Sequence, residues 1–220
     1  IRKTLWTKFE VPLAGVNLSN ITSITIGLEK LGAKGGTGTI YLDDIRLGVA
    51  VATANPGTDN LIARYEMENN VNDSSNSGFN GTTHGIENGG LTYEAGKFGQ
   101  ALVFDGNNDY VELPIGETIS TLTSCTISTW VNYGGGASWQ KVYDFGTDTN
   151  IYMDLSANNN ASAVRCSITT SSYQNEDGAN SSSVLSIGNW EHIVVVIDAD
   201  NKTMKLYRNG DLSASDDDVK

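Results

Sequence analysis

The 220-residue chain is 39% hydrophobic and 18% charged, with 24 glycines but only 3 prolines. Its 14 Lys and Arg stand against 26 Asp and Glu, a net charge of −12, which excludes nucleic acid and anionic membranes as partners because phosphate contacts need clustered cations. No apolar run approaches the roughly 20 residues of a membrane helix, so membrane insertion is not expected.

In chain order, short apolar or alternating runs fall at residues 6–11, 21–28, 39–47, 61–67, 101–104 and 110–113. They continue at 125–131, 141–145, 151–155, 163–168, 193–197 and 203–207. Clusters of Gly, Asn, Asp or Ser bound each run at the roughly 8–12-residue spacing of a sandwich or barrel. Helical periodicity is almost absent. The pattern predicts an all-β, antiparallel β-sandwich, with no helix of three turns between residues 61 and 211.

The segment GVAVATANPGTDN at 48–60 is small, polar at its end and contains Asn-Pro-Gly, a composition that suits a linker. It divides the chain into an N-terminal piece (1–48), a linker (49–60) and a larger domain (61–220). Three strand runs in the first piece are too few for a closed core. The opening Ile1-Arg2-Lys3 lacks an initiator Met and a signal peptide, and the chain stops in the acidic SASDDDVK, which reads as a loop. Both ends therefore read as cut from a longer protein.

Within YEAGKFGQALVFDGNNDYVELP (93–114), two strands at 100–104 and 109–113 are predicted to pair around the tip 105–108, where Gly and Asn tolerate positive φ. Asp105, Asn107 and Asp109 imitate the start of a calcium-binding EF-hand loop. Tyr110 stands where that loop needs Gly, however, and Gly116 where it needs Glu, so a turn is expected. EHIVVVIDADNKTMKLYRNG is the clearest hairpin, a buried strand followed by alternation of Met204, Leu206 and Arg208 with Lys205 and Tyr207. Cys125 and Cys166 lie in β-like runs; free buried thiols and a cross-strand disulfide are both open readings, and no CxxC spacing is present.

From residue 61 onward the chain resembles the laminin-G-like, concanavalin-A-like jelly rolls of large secreted proteins. Four ordered motifs carry this: ARYEMENNVNDSSNSGFNGT, AGKFGQALVFDGNNDYVELP, CTISTWVN and NWEHIVVVIDADNKTMKLYRNGDL. The family's final Gly-x-Ile-Asp-Glu-type strand is missing, which suggests an incomplete C-terminus and an open edge at 61–67. NITSITIGLEKLGAKGGTGTIYLDDIRL resembles the closing strands of a carbohydrate-binding-module-like sandwich. The resemblance implies an extracellular or cell-surface location, partner domains in a parent chain, and core positions for Trp130 and Trp190.

Candidate chemistry is sparse. Asp73, Asn76 and Gly78 could offer calcium hard oxygens from one compact loop, and the resemblance implies a structural calcium near it; an ordinary Asx-rich loop is the alternative. No Glu-x-Asp-x-x-Glu, Gly-x-Ser-x-Gly or His-Glu-x-x-His occurs, so no enzyme is expected. His84, placed in a loop, and His192 are read as structural. For glycan recognition, aromatic faces and amides are needed, and Trp139, Tyr143, Tyr152 and Tyr173 are the candidates. The leading reading is a non-catalytic carbohydrate-binding or adhesion module with a polysaccharide or glycan partner. A ligand-free spacer or protein-interaction domain is the alternative, and an accessory domain of a glycoside hydrolase is third.

Overall fold

A computed structural model describes residues 60–85 and 92–220. The strands expected at 6–11, 21–28 and 39–47, and the linker up to residue 59, lie outside them. The described residues belong to one unit, Asn60–Lys220. In chain order the strands are β1 (Thr82–His84), β2 (Thr92–Ala95), β3 (Gln100–Val103), β4 (Tyr110–Glu112), β5 (Ser124–Asn132) and β6 (Lys141–Gly146). There follow β7 (Tyr152–Ser156), β8 (Arg165–Thr169), β9 (Asp177–Asn180), β10 (Trp190–Asp198), β11 (Thr203–Arg208) and β12 (Asp211–Asp216). Helix among the described residues is limited to one turn at Gly116–Ile119 and a 3-10 turn at Tyr173–Asn175, as the absence of helical periodicity predicts.

Two four-stranded antiparallel sheets, ordered β12-β11-β10-β5 and β6-β7-β8-β9, form the sandwich. Strand β10 shows why. Its residues alternate strictly, so Ile193, Val195 and Ile197 are buried while the intervening positions are only half-covered, the period-2 signature of a strand with one core face. Met204 and Leu206 of β11 meet Met153 and Leu155 of β7 and Cys166 of β8 in a single cluster drawn from both sheets. Each such side chain fully removed from water contributes about 1.5–3 kcal/mol. At one side of the sandwich the sheet edges are tied directly, the Gly178 N–H of β9 donating to Asp216 Oδ2 of β12 at 3.0 Å.

Several expectations are corrected. The runs at 100–104 and 109–113 do not pair with each other: β3 pairs with β2, and β4 with β1. The tip between them is still a turn, held by Asn107 N donating to Asp105 Oδ1 (2.7 Å) and Asp105 N donating to Asp109 Oδ2 (2.9 Å). Residues 61–67 form no strand, only a bridge between Tyr65 and Asp73, and the backbone turns through positive φ at Met67 and Asn69. SASD is strand rather than loop, since it lies within β12 against β11. His84 lies in β1, where Glu112 Oε2 is 2.9 Å from its Nε2. Trp130 and Trp190 are not core residues: both sit on the outward parity of their strands, and Trp130 stacks on His192 with ring centroids 5.0 Å apart. Phe98 meets it edge-on, and Lys97 Nζ lies 4.9 Å from its ring.

Both cysteines are free. Cys125 stands on β5 of one sheet and Cys166 on β8 of the other; packed sheets lie about 10 Å apart, beyond the ~7 Å Cα limit of a disulfide. Burial pushes the Cys166 thiol up to about 11, so it packs as a small hydrophobe.

A charged clamp closes one end of the core. Glu191, on the inward parity of β10, receives Arg208 Nε at 3.0 Å and Nη2 at 2.8 Å, while Nη1 and Nη2 also donate to the carbonyls of Ser183 and Val184. The Ser186 N–H donates to Glu191 Oε1 at 2.6 Å. The clamp thus pins the loop 181–188 to two central strands.

Candidate functional site: the outward face of the second sheet

The outward side chains of β6–β9 form rows across the strands. The register aligns Lys141, Ser156, Arg165 and Asn180 in one row, and Asp144, Asp154, Ser167 and Gly178 in the next. Gly146, Tyr152 and Thr169 make a third. This face is polar throughout, yet Asp154, Ser156, Ser167 and Thr169 are buried.

Burial of such groups requires partners, and the rows supply them. Asp154 accepts Ser167 Oγ on Oδ1 at 2.7 Å and Lys141 Nζ on Oδ2, while Lys141 also donates to Ser156 Oγ at 3.1 Å. Glu176, just before β9, accepts Arg165 Nη2 on Oε1 (2.6 Å) and the Tyr152 hydroxyl on Oε2. Burial, then the bond to Glu176, pushes the Tyr152 phenol far above its ordinary range, so it stays a neutral donor.

Two local devices shape the face. A bulge between Lys141 and Tyr143 gives Val142 and Tyr143 both to the core and leaves Lys141 outward, the re-aiming that bulges provide. Glycines at the margins make room: a Cβ on Gly178 would meet the Arg165 guanidinium at 2.6 Å, and one on Gly146 would meet Tyr152 Cβ at 2.6 Å.

The four predicted aromatics do not share one location. Trp139 precedes β6 in a positive-φ conformation (71°), is 42% exposed, and stands 5.8 Å from Lys141 Nζ. Its N–H donates to Asn158 O at 2.6 Å, which fixes it at the Ser156 end of β7. Tyr152 begins β7, and Tyr173, 59% exposed, lies in the 3-10 turn beyond that end, its N–H bonded to Thr149 O at 3.0 Å. Tyr143 is the exception. It takes the inward parity opposite Leu155 and packs against the core, where burial raises its phenol well above the ordinary value. Sequence reading missed Lys141, Asp154, Arg165, Ser167 and Glu176, although the alternation in YMDLS and RCSIT places Asp154 and Ser167 on the face opposite Leu155 and Cys166.

The loop of Asp73, Asn76 and Gly78 is a separate place. Asp73 Oδ1 accepts the backbone N–H of Arg64 (3.0 Å) and Ser75 (2.8 Å), and Oδ2 that of Phe79 (3.1 Å). Three of about four lone-pair positions are thereby used. Burial alone would raise this carboxyl, but the bonds from Ser75, Arg64 and Phe79 outweigh it and hold it at about 2. Asn76 and Gly78 have positive φ and are exposed. Among the described residues, no three His, Cys, Asp or Glu cluster. Asp73 acts as the anchor of the loop, most of its carboxylate being taken by backbone N–H groups. Because its folded pKa is depressed, the stabilisation is present above the unfolded value of about 3.9 and lost as pH falls toward about 2. Thermal melts between pH 5 and 2 should show Asp73→Asn less acid-sensitive than the parent. Calcium and magnesium at equal ionic strength should shift the parent's melt equally; a calcium-specific shift abolished by Asp73→Asn would restore the metal reading.

Two packed antiparallel sheets of this kind define an antiparallel β-sandwich. The chain belongs to the concanavalin A-like lectin/glucanases superfamily, whose family model matches residues 105–220. Among solved structures it is similar to domain 4 of AbnA, a GH43 extracellular arabinanase from Geobacillus stearothermophilus, in complex with arabinotriose. That match has a TM-score of 0.60 and 24% identity, covering 72% of this chain and 76% of that one. No curated protein sequence matches the chain. No helix among the described residues is long and apolar enough to cross a membrane.

Proposed function

We propose that the outward face of β6–β9 binds a neutral glycan, and that the protein is a non-catalytic carbohydrate-binding module of a larger extracellular protein. The observation that carries this reading is the placement of exposed Trp139 at the margin of a face whose buried polar groups are already organised by one another. An aromatic plane covers the apolar side of a sugar ring, and the exposed Lys141, Asp144 and Asn180 of the same rows are the groups left to address its hydroxyls, with the buried groups beneath holding the face in shape. Pre-ordered partners lower the entropic cost of binding. The printed ligand of the arabinanase domain, arabinotriose, supports the same class of ligand. A net charge of −12 disfavours acidic polysaccharides.

The state of one carboxylate on this face supports a non-catalytic role. Asp144 and Asp154 stand opposite each other on β6 and β7, but both oxygens of Asp154 are occupied by Ser167 and Lys141. Neither oxygen of Asp154 is free to attack or to accept a proton from water, as a glycosidase nucleophile or base must. Isothermal titration with arabinotriose is the test. Trp139→Ala should weaken binding about tenfold or more, in the range of ~1.4 kcal/mol and above, with the melting temperature little changed. Binding unaffected by Trp139→Ala removes this face as the site, and no binding by the parent favours the spacer reading.

A further inference from the structure

Beyond the Tyr152 end of the face lies a cavity of about 390 Å3, lined by Thr169, Ser171, Gln174, Asn175, Glu176 and Asp177 among others. It is continuous with the face through two shared residues. Thr169 belongs to the third row, and Glu176 receives Tyr152 and Arg165 while it also lines the cavity. The wall is built rather than incidental: Thr169 Oγ1 accepts the N–H groups of Ser171 and Ser172 and donates to Ser172 O at 2.9 Å. Ser172 Oγ in turn caps the turn at Gln174 N, 3.2 Å away. Its chemistry is that of hydroxyls, amides and carboxylates, with Lys220 the one cation in the lining, so it suits a polyhydroxyl ligand better than an anion.

We propose that this cavity is a second sugar subsite, in line with the Trp139 end, and that the protein binds a run of sugars rather than a single unit or a chain end. The inference rests on the glycan reading above. Strand β7 separates the two ends, and its five residues at about 3.3 Å each span roughly 13 Å between first and last, room for roughly three units in line. Exposed Tyr173 beside the cavity mirrors Trp139 at the opposite end.

Arabino-oligosaccharides of increasing length, from monomer to pentamer, titrated into the full chain, decide the matter. Affinity should rise by about tenfold from the disaccharide to the trisaccharide or tetrasaccharide and then level off. Gln174→Ala and Asn175→Ala, both at exposed positions, should remove that gain while leaving disaccharide affinity at the parent value. Trp139→Ala should weaken every length. Equal affinity from the disaccharide upward, or equal losses at all lengths in Gln174→Ala, would overturn the second subsite but leave the first standing. Absence of binding at every length would overturn both.

Discussion

Arg208→Met will lower the free energy of unfolding by about 3–5 kcal/mol, because it strands the Glu191 carboxylate where its side chain is only 7% exposed. The variant also removes donors to the carbonyls of Ser183 and Val184, so the loop 181–188 loses its tie to β10 and β11. Urea denaturation at pH 7 measures the loss. The double variant Arg208→Met/Glu191→Leu should recover most of it, since replacing a buried pair by apolar side chains is often neutral. The pH dependence separates the clamp from mere packing. Burial works to raise Glu191, but the Ser186 N–H and the Arg208 bonds outweigh it and hold its pKa down. In the parent, therefore, the clamp's contribution is full above about 4.3, the unfolded value, and fades as pH falls through the lower folded value. In Arg208→Met the unpaired buried carboxyl is raised instead, and acidification toward pH 4 should narrow the difference between the two proteins. A difference constant from pH 7 to 4, or below 1 kcal/mol at pH 7, counts against the clamp.

The second large effect belongs to the outward face. Lys141→Met leaves Asp154, 3% exposed, with the Ser167 hydroxyl alone, at a cost of roughly 3 kcal/mol. Because Lys141 itself is 34% exposed, solvent screens part of the pair, and the loss should fall below that of Arg208→Met. Chemical denaturation gives the number. Titration with arabinotriose gives a second readout, since loss of the order in the Asp154 row should weaken binding along with stability. In the Lys141→Met background, Asp154→Asn, which removes the buried charge while its amide oxygen still accepts from Ser167, should recover a large part of the stability. A Lys141→Met protein as stable as the parent would mean that the row is held by something other than this pair.

The sandwich was legible wherever one face of a strand is apolar and the other polar. EHIVVVID and TMKLYR announce both their strands and their hairpin, because burial on one side writes period 2 into the residues. Strand pairing was less legible. The tip Asp105-Gly106-Asn107-Asn108 has the composition of a hairpin turn, yet the strands on either side diverge to β2 and β1; a turn signal is local, and the choice of partner is decided by packing elsewhere. Strand β12, DLSASD, carries too few apolar residues to be seen, since it is completed by β11 on one side and by the bond to Gly178 on the other. At the candidate site, Trp139 and Tyr173, read as binding aromatics from their polar loops, are exposed. Tyr143 escaped because the bulge at Val142 breaks the alternation that would have placed it inward.

That extra residue also bears on how a face of this kind can diversify. Lys141 pairs with Ser156 and Tyr143 with Leu155, so Val142 could be lost, or another residue gained beside it, without disturbing any pairing on either side. What such a change in length would alter is the bend of the strand, and with it the angle at which Trp139 leans over its neighbours. Selectivity for ring shape or linkage could then drift by insertion and deletion at one position, with the strand register kept and only the core contact of Val142 changed.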